Sequence, residues 1–231
     1  MQELFKCLVG SRAHGLNDET SDYDYRGVFA VPTTRILGLG ANPKTTHWIE
    51  GDVDDTSWEI GHFLHLATKC NPTILEAFCS PLKSTTKAGD MVRALFPHVW
   101  NSRGVFDAFR GYSMNQRKKF LDDKDGRAWK FAVAYIRTLW QGTHLLYHGV
   151  LPINVQEVEP VMHQMLRAIR NQEMTRGQVL DLATKLERDI ATAYEENSDK
   201  ETNLEAVNEA LLYIRRIYWE EGDETTLMQT V

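Results

Sequence analysis

Apolar positions follow two different rhythms along this chain: short β-rich pieces among turns in the first hundred residues, then helical spacing almost to the end. Phe5, Cys7, Leu8 and Val9 predict an opening strand that Gly10 and Ser11 terminate. Residues 22–29 predict a second, because Tyr23, Tyr25 and Val28 carry strand-favouring side chains. Pro32 interrupts the segment after that strand. A third extended piece is expected through His47, Trp48 and Ile49 toward Asp54, Asp55 and Thr56, with Gly51 allowing a bend.

Helical spacing then takes over. Ile60, Phe63, Leu64 and Ala67 form one apolar stripe, with Ser57 in place to cap its start. Asn71-Pro72 reads as a second helix opening, and Ile74, Leu75 and Phe78 supply its buried side. Beyond residue 101 the pattern is helical. One stripe is Val105, Phe106, Phe109 and Tyr112; the next is Trp129, Ala132, Val133, Ile136 and Trp140. An extended linker at 151–155 leads to a helix near 161–169, with later stripes at Val179 to Ile190 and Leu204 to Ile217. Each stripe needs a partner surface, so the expected fold class is α+β: a small N-terminal α/β unit and then a helical bundle.

Composition narrows the function. The formal charge is -6 and the pI near 5.8, which argues against a basic clamp on duplex DNA while leaving local RNA contact open. Cys7, Cys70 and Cys79 form no CxxC pair, so neither a zinc knot nor a disulfide scaffold is expected. No basic-plus-apolar leader and no membrane-length apolar run occur, and the expected localisation is cytoplasmic.

The chemistry concentrates in Gly10-Ser11 and in Ser21-Asp22-Tyr23-Asp24. Two aspartates two residues apart on a strand share a face, and their carboxylates repel unless a cation lies between them. Magnesium suits such a site, being a hard ion that prefers carboxylate oxygen, water and phosphate. Glycine at a strand end lets a phosphate approach the backbone, and the Ser11 hydroxyl adds a directed hydrogen bond. The Walker pattern is absent.

The string GSRAHG at 10–15 with SDYDYRGVF at 21–29 resembles the nucleotidyltransferase superfamily of the DNA polymerase beta fold, whose pattern is Gly-Ser, a spacer, then Asp-x-Asp on a strand. With NPTILEAF at 71–78, and more loosely WKFAVAYIRTLWQGTHLLYHG at 129–149, it is similar to the RNA-ligase-associated nucleotidyltransferases of phages and bacteria. The resemblance implies a catalytic domain over 1–100 and a helical domain over 101–231 that closes the cleft and takes part in acceptor binding. It implies divalent metal on Asp22 and Asp24 plus a third carboxylate, for which Asp54 is the expected residue and Asp52 and Glu59 are the rivals. Gly10, Ser11, Arg12, Ser21 and Arg26 are the expected nucleotide contacts. The implied cofactor is Mg2+, as one or two ions, with Mn2+ as a substitute. The implied reaction moves a nucleoside monophosphate from a triphosphate such as ATP to a hydroxyl acceptor and releases pyrophosphate. An RNA end is the favoured acceptor, with a protein or small molecule as the alternative. A silent nucleotide- or RNA-binding regulator and a nuclease are the rival functions.

Other features read more plainly. His14 is expected to fill its turn, and His62/His65 and His144/His148 to belong to packed helices rather than zinc sites. Arg117, Lys118 and Lys119, with Lys124, Arg127 and Lys130, are either an acceptor-side patch or a solvated face offset by Asp122, Asp123 and Asp125. Trp129, Tyr135 and Trp140 read as core, and Arg215-Arg216 as serving solubility.

Overall fold

A computed structural model describes residues 1–39, 44–50, 53–123 and 126–220, with the backbone alone described for 45–50 and 53–54. The elements run β1 (Gln2–Val9), α1 (Gly10–Ala13), β2 (Tyr23–Ala30), α2 (Thr33–Leu37), β3 (Thr45–Glu50), β4 (Val53–Glu59), α3 (Ile60–Thr68), α4 (Pro72–Cys79), β5 (Leu82–Thr85), α5 (Lys87–Ala94), α6 (Phe96–Val99), α7 (Ser102–Asp122), α8 (Ala128–His148), α9 (Val155–Val158), α10 (Pro160–Arg170), α11 (Arg176–Glu196) and α12 (Leu204–Ile217). The fold is α+β, as the apolar rhythm predicts.

Five strands form one sheet in the order β3-β4-β2-β1-β5. β1 lies antiparallel to β2 with Val9 opposite Asp24, and β2 lies parallel to β4 with Asp24 opposite Asp54. A bulge between Glu3 and Phe5 breaks the two-residue period, which is how the neighbours Leu4 and Phe5 are both fully buried. Phe5 meets Phe63 of α3 edge-on at 5.9 Å, and Phe63 stacks on Phe78 of α4 at 4.8 Å. These rings fasten the two helices to one face of the sheet. Burying each contributes roughly 2–3 kcal/mol.

Three local expectations need correcting. β2 begins at Tyr23, so Asp22 sits one residue before the strand. Ser57 lies inside β4 and does not cap α3; Glu59 does, accepting from the Gly61 amide at 2.7 Å. Arg215 does not serve solubility: its guanidinium donates to Glu59 at 2.6 Å, and both side chains are largely buried. That pair, with the Thr33 hydroxyl on the Arg215 carbonyl at 2.6 Å, ties the last helix back to the sheet. The edge strand β5 has no signal in the apolar rhythm, since its four residues are all exposed and lack alternation.

The Asn71-Pro72 opening is as read, Asn71 accepting from the amides of Thr73 and Ile74. Every described element after residue 101 is a helix. α8 runs through the middle of them, flanked by α7, α10 and α11. Tyr135 and Trp140 belong to the core, giving hydrogen bonds at 2.8 Å to Glu187 and Glu159 respectively; Trp129 packs on the core from a half-buried position, edge-on to Phe120. Gly149 closes α8 in the left-handed region, and His144 bonds the Val150 carbonyl at 3.1 Å, the packed helix end that the sequence predicts. Among the described residues no helix is long and apolar enough to cross a membrane.

Candidate active site

The β1–β2 register brings the two parts of the sequence motif together. Val9 is opposite Asp24, so the turn into α1 starts where the Asp24 carboxylate stands. Gly10 has φ +72°, and a Cβ built there would lie 2.2 Å from Asp24 Oδ2. Only glycine allows both the backbone angle and the carboxylate's approach. Asp22 lies just outside the strand and is exposed. Asp54, directly in register with Asp24 on the neighbouring strand, has its backbone described; Asp52 lies outside the described residues. Glu59, the remaining rival for a third metal ligand, is already committed to Gly61 and Arg215.

Asp24 and Asp54 occupy paired positions on adjacent strands, and carboxylate is the ligand type that hard divalent cations prefer. Among the described residues, no three His, Cys, Asp or Glu side chains form a group able to hold a metal ion, the Asp54 side chain lying outside that description.

The expected nucleotide contacts divide. Gly10 and Ser11 lie in the turn beside Asp24. Arg12 turns toward the loop before Asp22: Nε and Nη2 donate to the Ser21 carbonyl at 3.1 and 2.7 Å, and the guanidinium lies 3.9 Å over the Tyr23 ring. Ser21 is held in a turn with Asp18, accepting from the Asp18 amide at 2.9 Å and donating to its carboxylate at 3.0 Å. Arg26 lies two residues beyond Asp24 on β2 and donates to the Tyr25 carbonyl at 2.7 Å. Arg12 and Ser21 therefore brace the acidic loop.

Behind the turn lies a buried polar network. His14 is buried, and its Nε2 donates to the Glu76 carboxylate of α4. Arg137 of α8 stands 3.7 Å from the same carboxylate and donates to Gln141 at 2.7 Å; Gln141 in turn donates to the Pro152 carbonyl at 2.7 Å. Burial and the Arg137 charge hold the His14 imidazole neutral, below its ordinary range. Burial alone would raise Glu76, but His14, Arg137 and Arg26 outweigh it and keep the carboxylate ionised. The reading of His14 as a structural residue therefore stands, with a partner that sequence spacing does not identify. A signal exists: Glu76 is an acid among the buried residues Ile74, Leu75, Ala77 and Phe78, and Arg137 a base between Ile136 and Leu139. A charge inside an apolar stripe requires a partner.

The RNA repair pathway DNA polymerase beta family (RlaP) matches residues 1–215. The uncharacterized protein YcgL of Bacillus subtilis (strain 168) is 23% identical over 241 residues, covering 95% of this chain and 92% of that protein. A nucleotidyltransferase-like protein from Exiguobacterium sibiricum 255-15 is similar at 12% identity and a TM-score of 0.34, over 93% of this chain and 74% of that one.

Proposed function

Because this chain belongs to the RNA repair pathway DNA polymerase beta family, we propose that it moves a nucleoside monophosphate from a nucleoside triphosphate to a hydroxyl acceptor, with release of pyrophosphate. The observation that carries this reading is the contact between the Gly10 turn and the Asp24 carboxylate. It puts a backbone suited to phosphate beside an acidic group suited to metal. Asp22, Asp24 and Asp54 are the residues that would hold Mg2+, the register of Asp24 with Asp54 favouring Asp54 as the third. When bound, the metal supplies charge neutralisation at the phosphates and a lowered pKa for the attacking hydroxyl.

The chain's own residues account for the remaining work. Gly10 allows the triphosphate close to the backbone, and Ser11 restrains the leaving pyrophosphate through one hydrogen bond. Arg26, two residues beyond Asp24, adds positive charge beside the phosphates. Arg12 works indirectly, fixing the Ser21 carbonyl one residue before Asp22. The family's RNA repair description supports an RNA end as the acceptor.

The test is incubation of the full chain with each triphosphate, Mg2+ or Mn2+, and separate pools of RNA, protein and metabolites. Pyrophosphate release is measured, and whatever gains a nucleotide is identified by mass. Asp22→Asn and Asp24→Asn should each reduce transfer by more than the ~10–100-fold that losing an outer partner of a metal site costs, with the melting temperature preserved. Transfer that survives the double substitution refutes the assignment. Ser11→Ala should be milder, about tenfold, since one hydrogen bond is lost.

A further inference from the structure

The loop between Ala13 and Asp22 has no regular structure, yet it must fix the distance from the Gly10-Ser11 turn to Asp22. Four consecutive carbonyls of this loop, from His14 to Asn17, each accept a hydrogen bond from residues 155–170. The Val155 amide donates to His14 at 3.2 Å, His163 Nε2 to Gly15 at 2.8 Å, Arg170 Nη1 to Leu16 at 2.6 Å and Arg167 Nη1 to Asn17 at 3.2 Å. His163, Arg167 and Arg170 sit at i, i+4 and i+7 on α10, and so form one row on the helix. Surface loops ordinarily leave such carbonyls to water; here a row of side chains takes three of them and a helix-start amide the fourth.

Arg170 does most. Besides Leu16 it pairs with the Asp18 carboxylate and donates to Ser21 Oγ at 3.2 Å, so one guanidinium spans residues 16, 18 and 21. Ser21 also receives Arg12 on its carbonyl. The residue before Asp22 is therefore held from the turn side by Arg12 and from the helical side by Arg170.

We propose that Arg170 is a positioning residue for nucleotide transfer: through Leu16, Asp18 and Ser21 it sets where Asp22 stands relative to Gly10 and Ser11. The inference rests on the proposed transfer reaction. Arg170 acts through the loop rather than on the nucleotide or the metal, so its loss affects turnover more than triphosphate affinity. A planar fork is needed to reach three groups at once, which a lysine ammonium does not supply.

The test uses the full chain with Arg170→Ala, Arg170→Lys and Arg170→Met. Turnover should fall by about tenfold to a hundredfold, the scale of a small displacement at a reacting centre, while KM for the triphosphate changes by less than about threefold. Lysine should restore only part of the loss, and added guanidinium should recover activity in Arg170→Ala but not in Asp22→Asn. Turnover within twofold of the unsubstituted chain in Arg170→Met overturns the proposal, as does a loss that guanidinium fails to recover. Mn2+ binding by the same proteins separates the two readings. An unsubstituted chain that binds Mn2+ without transferring nucleotide, and whose binding Arg170→Met weakens, overturns the transfer reaction but keeps the part of the inference by which Arg170 sets where Asp22 stands; binding that Arg170→Met leaves unchanged overturns that part too. A chain that neither binds nor transfers overturns both.

Discussion

At the scale of single residues, Gly10 and Asp24 are the most informative pair. Their sequence spacing is that of an ordinary strand-turn-strand segment; their meaning comes from the contact at which a Cβ would stand 2.2 Å from a carboxylate oxygen. Gly10→Ala should therefore fail twice. The left-handed backbone costs about 1–2 kcal/mol for an alanine, and the new methyl displaces Asp24. The expected outcome is a modest loss in urea denaturation with a much larger loss of pyrophosphate release; equal retention of both would show that the close approach is unimportant. As candidates, Gly10, Ser11, Asp22 and Asp24 are legible in the sequence because Gly-Ser at the end of an apolar strand, followed by Asp-x-Asp, forms a motif that neither part makes alone. Arg12 and Ser21 were legible as neighbours of the site, but not as braces of the loop, since their partners are set by how the loop folds back.

Among the elements, β4 and α12 show how far a local reading reaches. Helical spacing identified α12, and Arg215 on it looked like a solvent residue because it stands beside a second arginine. The sheet placed Glu59 at the end of β4, where its carboxylate caps α3 and receives Arg215. Removing one member of a buried pair leaves the other charge unpaired, so Arg215→Met should destabilise the fold by about 3 kcal/mol. Chemical denaturation would read this directly, and an unchanged midpoint would mean that the pair contributes nothing net. Glu59→Gln should cost a similar amount, because one amide oxygen cannot both cap Gly61 and accept from Arg215, and the guanidinium loses its counter-charge. Ser57 was the plausible cap by residue type alone. It lost that role because β4 continues two residues past it, its pairing with β2 holding the backbone extended through Glu59.

For the whole molecule, the His14–Glu76–Arg137 network joins the turn after β1 to α4 and α8, and it makes stability depend on acid. His14 has a folded pKa below its ordinary 6.5, so unfolding takes up a proton once the pH falls beneath that value. Glu76 is likewise depressed from 4.5. Both shifts have the same sign: the stability they contribute is present above the unfolded values and lost as the pH falls through and below them. Thermal melts should show Tm declining below about pH 6.5 and falling further below about pH 4.5. Glu76→Gln should lower Tm at neutrality and flatten the lower part of that decline; a decline identical to that of the unsubstituted chain would remove Glu76 from the cause. By itself the sequence determined the helical stripes, the main strands other than β5, the α+β order and the Gly-Ser and Asp-x-Asp residues, because backbone alternation, helical spacing and turn chemistry act over a few neighbours. Tertiary structure alone decided the sheet order, the Asp24–Asp54 register, the burial of Glu76 with Arg137 and the hold of α10 on the loop before Asp22. Those partners lie far apart along the chain, and only chain closure around a common core brings them within hydrogen-bond reach.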